Sequence, residues 1–174
     1  MKNTRYFDVI RTLNAYDVRY VLIGGLAAIL WGSDHITSDI DICYDRDREN
    51  VRHLVEALRE MEAHLRGYPA GLPEIIDERA FQLGDTMTFE TKFAWFDCLG
   101  SPSGSGGYKQ LAANATKMTI EDDLVVAVAS IDDIIKMKRT AGRTKDLSLV
   151  EQLKRLKQIR EELGAHGEKP AGED

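Results

Sequence analysis

The sequence predicts an α+β protein: a mixed β-sheet with helices packed on it, followed by a pair of C-terminal helices. Three observations carry that reading. Apolar residues switch repeatedly between a helical period and a strand-like alternation along the chain. The order is helix, strand, helix, strand, helix, several strands, then helices, which suits a sheet covered by helices better than a strict βαβ repeat. At 174 residues the chain is long enough for one domain with a substantial core.

The elements follow in order. Over Asn3 to Tyr16, Tyr6, Val9, Ile10 and Leu13 recur at helical spacing, so an amphipathic helix is expected. Tyr20 to Ile23 reads as a short buried strand closed by Gly24 and Gly25. Leu26 to Trp31 suits a short helix that stops at Gly32. Asp39 to Tyr44 alternates polar and apolar, as a strand does, and Val51, Leu54, Val55, Leu58, Met61 and Leu65 form a helical stripe. Gly67, Pro69, Gly71 and Pro73 make Arg66 to Asp77 a long loop. Strands are expected at Phe81 to Leu83, Met87 to Glu90 and Phe93 to Leu99. Gly100 to Gly107 is flexible by composition, a lid over substrate or a plain connection.

Tyr108 to Asn114 fits a helix, and Lys117 to Ile120 with Leu124 to Val128 fits a hairpin. Ser130 and Asp133 have the spacing of a capping box and open a helix to about Ala141. Thr144 can cap a last helix whose stripe is Leu149, Leu153, Leu156, Ile159 and Leu163. Residues 1–163 then form a single domain, and the polar, Gly-containing residues 164–174 form a disordered tail.

Composition narrows the function classes. Hydrophobic residues make up 43% and charged residues 30%, the balance of an ordinary globular protein. A formal charge of -6 argues against a general polyanion binder but allows a local basic patch. Gly24 and Gly25 interrupt the longest apolar run, so no membrane span is expected. The run MKNTRYFDVI lacks an apolar signal segment. Cys43 and Cys98 lie in apolar runs without metal-ligand spacing and read as reduced structural thiols in a cytoplasmic protein.

Two features can carry chemistry. Asp39 and Asp41 sit at i and i+2 on one strand, so their carboxylates share a face. Side by side they repel, and a cation between them relieves the repulsion. Magnesium favours such oxygen ligands together with substrate phosphates, and manganese is a close substitute. The second feature is the Gly24-Gly25 turn after a buried strand, where a backbone without side chains can approach a phosphate. Lys136, Lys138, Arg139, Arg143 and Lys145 form a basic cluster in an acidic protein. It is either a solvated helix face or a source of charge-assisted contacts to a triphosphate or RNA.

The segment VLIGGLAAILWGSDHITSDIDI, Val21 to Ile42, resembles the nucleotidyltransferase superfamily that includes DNA polymerase beta. That pattern is a Gly-Gly or Gly-Ser turn, a two-carboxylate strand and a third carboxylate on a neighbouring strand. The resemblance implies a nucleotidyltransferase-like mixed sheet. It also implies catalytic and metal-binding roles for Asp39, Asp41 and Asp97, the last within FAWFDCL, with Glu90 in reserve. Gly24, Gly25, Thr37 and Ser38 would bind nucleotide. Ile131 to Leu147, IDDIIKMKRTAGRTKDL, resembles the matching segment of small bacterial relatives of the AbiEii toxins of type IV toxin–antitoxin systems. By that likeness Lys138 touches phosphate, and Arg143, Lys145 and Asp146 close the nucleotide site.

The activity implied is metal-dependent transfer of a nucleoside monophosphate from a nucleoside triphosphate to a hydroxyl. The acceptor would be an RNA such as tRNA, a protein or a small molecule. A cognate antitoxin or toxin is an implied partner, and a non-catalytic nucleotidyltransferase-like binding or regulatory module is the alternative. One departure stands out. Relatives often carry arginine four residues before the first aspartate, where this chain has His35, which lacks a guanidinium fork.

Overall fold

The computed structural model describes residues 5–69, 72–121 and 123–167, and for Lys145 and residues 164–167 the backbone alone. Its centre is a seven-stranded sheet in the order β3-β4-β5-β2-β1-β7-β6. In chain order the strands are β1 Tyr20–Ile23, β2 Asp39–Tyr44, β3 His64–Leu65, β4 Thr86–Glu90, β5 Trp95–Leu99, β6 Thr116–Glu121 and β7 Leu124–Val128. The sheet is mixed: β1 runs antiparallel to β2 and parallel to β7, while β2 runs parallel to β5. The helices are α1 Tyr6–Ala15, α2 Gly24–Leu30, α3 Arg48–Glu60, α4 Glu78–Leu83, α5 Tyr108–Asn114, α6 Ile131–Ala141 and α7 Leu147–Gly167. The expected α+β architecture is what the chain adopts.

The alternation in β2 and β5 divides the sheet into two working faces. Ile40, Ile42, Phe96 and Cys98 point one way and are fully buried. Phe96 continues into an aromatic row with Phe89, Phe81 and Tyr44, ring centroids 5.5 to 6.5 Å apart. Asp39, Asp41 and Asp97 point the other way. Helices α2 and α5 pack against β1 and β2, and α6 packs against α2 and α7. Both cysteines are buried free thiols.

Several boundaries differ from expectation for local reasons. Phe81 to Leu83 is the end of α4 and not a strand, because the Asp77 carboxylate accepts a bond from the Ala80 amide at 2.9 Å and starts a helix. Helix α3 ends at Glu60, so Leu65 leaves the helical stripe and joins β3, which pairs with β4. Thr144 begins a 3-10 turn over Thr144–Asp146, without a side-chain cap, and α7 starts after it. Helix α7 reaches Gly167, so residues 164–167 of the expected tail are helical; residues 168–174 lie outside the described residues. Hairpin residue Asp122 also lies outside them.

The glycine-rich connection is built rather than loose. Ser105 is fully buried, its hydroxyl donates to the Pro102 carbonyl at 2.6 Å, and it accepts from the Gly107 amide at 2.9 Å. Gly104 lies against Thr140 and the Lys136 carbonyl of α6, at a φ of +80°. A side chain there would collide with the helix, so this position needs glycine.

Candidate active site

The two sheet-face aspartates of β2 and the one on β5 meet because the strands are parallel neighbours in register. Asp41 lies opposite Asp97, and Asp39 lies opposite Trp95. One carboxylate oxygen from each of Asp39, Asp41 and Asp97 falls within 4.8 Å of the other two. The sequence-derived trio therefore converges. Glu90, the reserve, sits on β4 opposite Trp95 and does not line the cleft.

Local geometry shows what the glycine turn does. Gly24 has a φ of +70°, and a Cβ there would collide with the Asp41 carboxylate. Gly25 packs on Thr37, where a Cβ would come within 2.8 Å of the hydroxyl, and its amide donates to Asp41. The two glycines thus admit the aspartate and the threonine to the turn. Thr37 in turn donates to Asp39 Oδ1 at 2.8 Å, and its own carbonyl accepts from the Tyr6 hydroxyl at 2.7 Å. Helix α1 therefore braces the segment that orients Asp39.

Crowding shows in the electrostatics. Burial pushes the Asp41 carboxyl up to about 7, and the negative charges of Asp39 and Asp97 add to the push. Lys138 and the Gly25 amide oppose it only in part. Asp97 is also raised, by burial and by Asp39, against the pull of Arg66. Three hard oxygen donors that repel one another at this distance fit a divalent cation, which removes the repulsion and supplies what the side chains lack.

The cleft above them has a volume of about 760 Å³. Gly24, Gly25, Thr37 and Ser38 form one wall, and Lys138, Arg143 and Asp146 come from α6 and the segment after it. Lys138 Nζ donates to Asp146 Oδ1 at 3.1 Å, while Asp146 Oδ2 is buried with no hydrogen-bond partner among the described residues. The side chain of Lys145 lies outside the described residues. His35 lines the cleft beside Ile36, which is 90% exposed at the rim.

One cleft residue escaped the sequence reading. Arg66 follows β3, its amide donates to the Thr88 carbonyl of β4 at 2.9 Å, and its Nη2 reaches both Asp97 oxygens at 3.0 and 3.1 Å. The guanidinium also lies over the Trp95 ring, 5.2 Å from its centroid. Nothing in the sequence around Arg66 announces this, because a two-residue strand creates it. Thr86, Thr88 and Ser103 complete that side of the cleft.

No family model and no curated protein matches the chain. Solved structures match in fold. The antibiotic-resistance factor ANT(2'')-Ia, determined in solution, superposes with a TM-score of 0.52 at 13% identity, covering 93% of this chain and 92% of that one. ANT(2'')-Ia in complex with adenylyl-2''-tobramycin gives 0.51 at 13% identity, covering 92% and 95%. At that identity the likeness is one of fold: the chain has a nucleotidyltransferase-like fold. Among the described residues no helix is long and apolar enough to cross a membrane.

Proposed function

We propose that this chain is a divalent-metal-dependent nucleotidyltransferase that moves a nucleoside monophosphate from a triphosphate to the hydroxyl of a small-molecule acceptor. The observation that carries the reading is the convergence of Asp39, Asp41 and Asp97 within 4.8 Å at the floor of the cleft. The small acceptor is taken from the fold neighbour bound to adenylyl-2''-tobramycin.

Asp39 and Asp41 would hold the cation, Mg2+ or Mn2+, with Asp97 as the third ligand. A bound divalent cation supplies charge neutralisation at the triphosphate and stabilises the oxygens that enter and leave. The rest falls to the chain. The Gly24-Gly25 backbone, Thr37 and Ser38 line the phosphate wall. Lys138 neutralises phosphate charge and is held by Asp146, while Arg143 and Lys145 close over the nucleotide. Asp97 would take the proton of the acceptor hydroxyl as its oxygen attacks the α-phosphorus and pyrophosphate departs.

A second reading has its own support. The Ile131 to Leu147 segment resembles the AbiEii toxin branch, and its Lys138 and Asp146 meet inside this cleft. It would bring an RNA or protein acceptor and a toxin–antitoxin partner. Transfer from α-labelled triphosphates decides among these. Wild type should label a small hydroxylated acceptor, and Asp41→Asn should not. Label appearing on tRNA or protein instead would favour the toxin branch. Equal labelling by both proteins would end the catalytic assignment to this site, and no labelling by wild type would favour a non-catalytic binding module.

A further inference from the structure

Asp97 is the one member of the trio that already has a cation. Arg66 Nη2 spans both of its oxygens, while Asp39 is bonded only by the neutral Thr37 and Asp41 by a backbone amide. The arginine is held from three directions. Its amide is fixed to Thr88, its guanidinium rests on Trp95, and its Nη2 bonds Asp97. Bidentate or bridging arginine–carboxylate contacts are among the stronger charge-assisted bonds. The guanidinium charge competes with a metal ion for this carboxylate and makes Asp97 less ready to take a proton.

Arg66 also sits at the margin of the sheet. It stands at the start of the 66–77 connection, beside a two-residue strand at the sheet's edge. Its side chain lines the cleft. We propose that Arg66 is a latch on the third carboxylate: closed, it restricts the free protein to one divalent cation at Asp39 and Asp41 and withholds Asp97 from the acceptor. Release of Arg66 would free Asp97 for a second cation or for proton transfer. The latch makes Arg66 a positioning residue that acts through Asp97, and it rests on the metal-clamp reading above.

Titrating the full-length protein with Mn2+ and following free Mn2+ by electron paramagnetic resonance tests it. Wild type should bind about one ion per chain, Arg66→Gln about two, and Arg66→Lys about one again. Asp97→Asn supplies a measurement that needs no arginine variant. It should keep the wild-type affinity for the single ion within about twofold, because a latched Asp97 contributes little. A drop of about tenfold or more in Asp97→Asn, or equal stoichiometry in wild type and Arg66→Gln, overturns the latch and leaves the clamp standing. Failure of every protein to bind Mn2+ overturns both. Circular dichroism confirms that the variants are folded.

Discussion

The carboxyl of Asp41 lies beneath Gly24 and between Asp39 and Asp97, and the fold keeps it there against its own solvation. Its folded pKa of about 7 exceeds the ordinary 3.8, so the native state binds the proton that the unfolded chain releases. Stability from this group is therefore full below about pH 4, falls as pH rises, and is gone above about pH 7. In chelator, Asp41→Asn should melt higher than wild type by about 2–4 °C at pH 8, with the gap closing toward pH 4. Thermal scans across that range check it, and a gap of the opposite sign would contradict the burial account. Gly24→Ala should do the reverse. It places a Cβ at φ +70° and against Asp41, so it should cost about 1–3 kcal/mol and reduce nucleotidyl transfer together. At this scale the i, i+2 spacing of Asp39 and Asp41 foretold a shared face, and the nucleotidyltransferase resemblance pointed to Asp97. It was silent on Arg66, because a contact between residues 31 apart rests on how the β3 edge folds back.

Helices α6 and α7 are joined through a buried ion pair as well as by packing. Ser130 caps α6 by accepting from the Asp133 amide at 3.1 Å, as its capping-box spacing foretold. At the other end Gly142 turns the chain at a φ of +64°, and the 3-10 turn carries Asp146 back to Lys138. Asp146→Ala should remove the partner of a mostly buried ammonium and cost about 1–3 kcal/mol, measured by chemical denaturation. Nucleotide binding should weaken as well, since Lys138 loses its anchor. Elements were most legible where one physical cause dominated. The period of α3, the alternation of β2 and the cap of α6 are examples. They were least legible where a short-range bond outweighed pattern. Phe81 to Leu83 looks like a strand, yet the Asp77 cap makes it helical. Gly100 to Gly107 looks loose by composition, yet Gly104 fits against α6 and Gly106 against Gln110 of α5.

For the whole molecule, ligand linkage gives the broadest check. Mg2+ with a nucleoside triphosphate binds only the folded state in this reading, so the two together should raise the melting temperature. At about a hundredfold excess over Kd the gain is about 2.7 kcal/mol. Asp41→Asn should lose most of that shift, and no shift in wild type at millimolar nucleotide would end the nucleotide-binding claim. The architecture itself was legible from the order of elements, because a two-carboxylate strand buried on its other face needs neighbours on both sides. The sheet order was not, since the parallel pairing of β2 with β5 joins strands separated by two helices and two strands.

That pairing has a further consequence for how the molecule breathes. Strand β2 is hydrogen-bonded on both sides, by β1 and by β5, whereas Arg66 leaves the outermost strand β3. Amide hydrogen exchange should be slowest at Ile40 and Ile42, near the limit set by global unfolding, and faster at His64 and Leu65. The carboxylates of β2 would then belong to the last cooperative unit to open and Arg66 to one of the first, so local fluctuation can release the arginine while the aspartates stay in place.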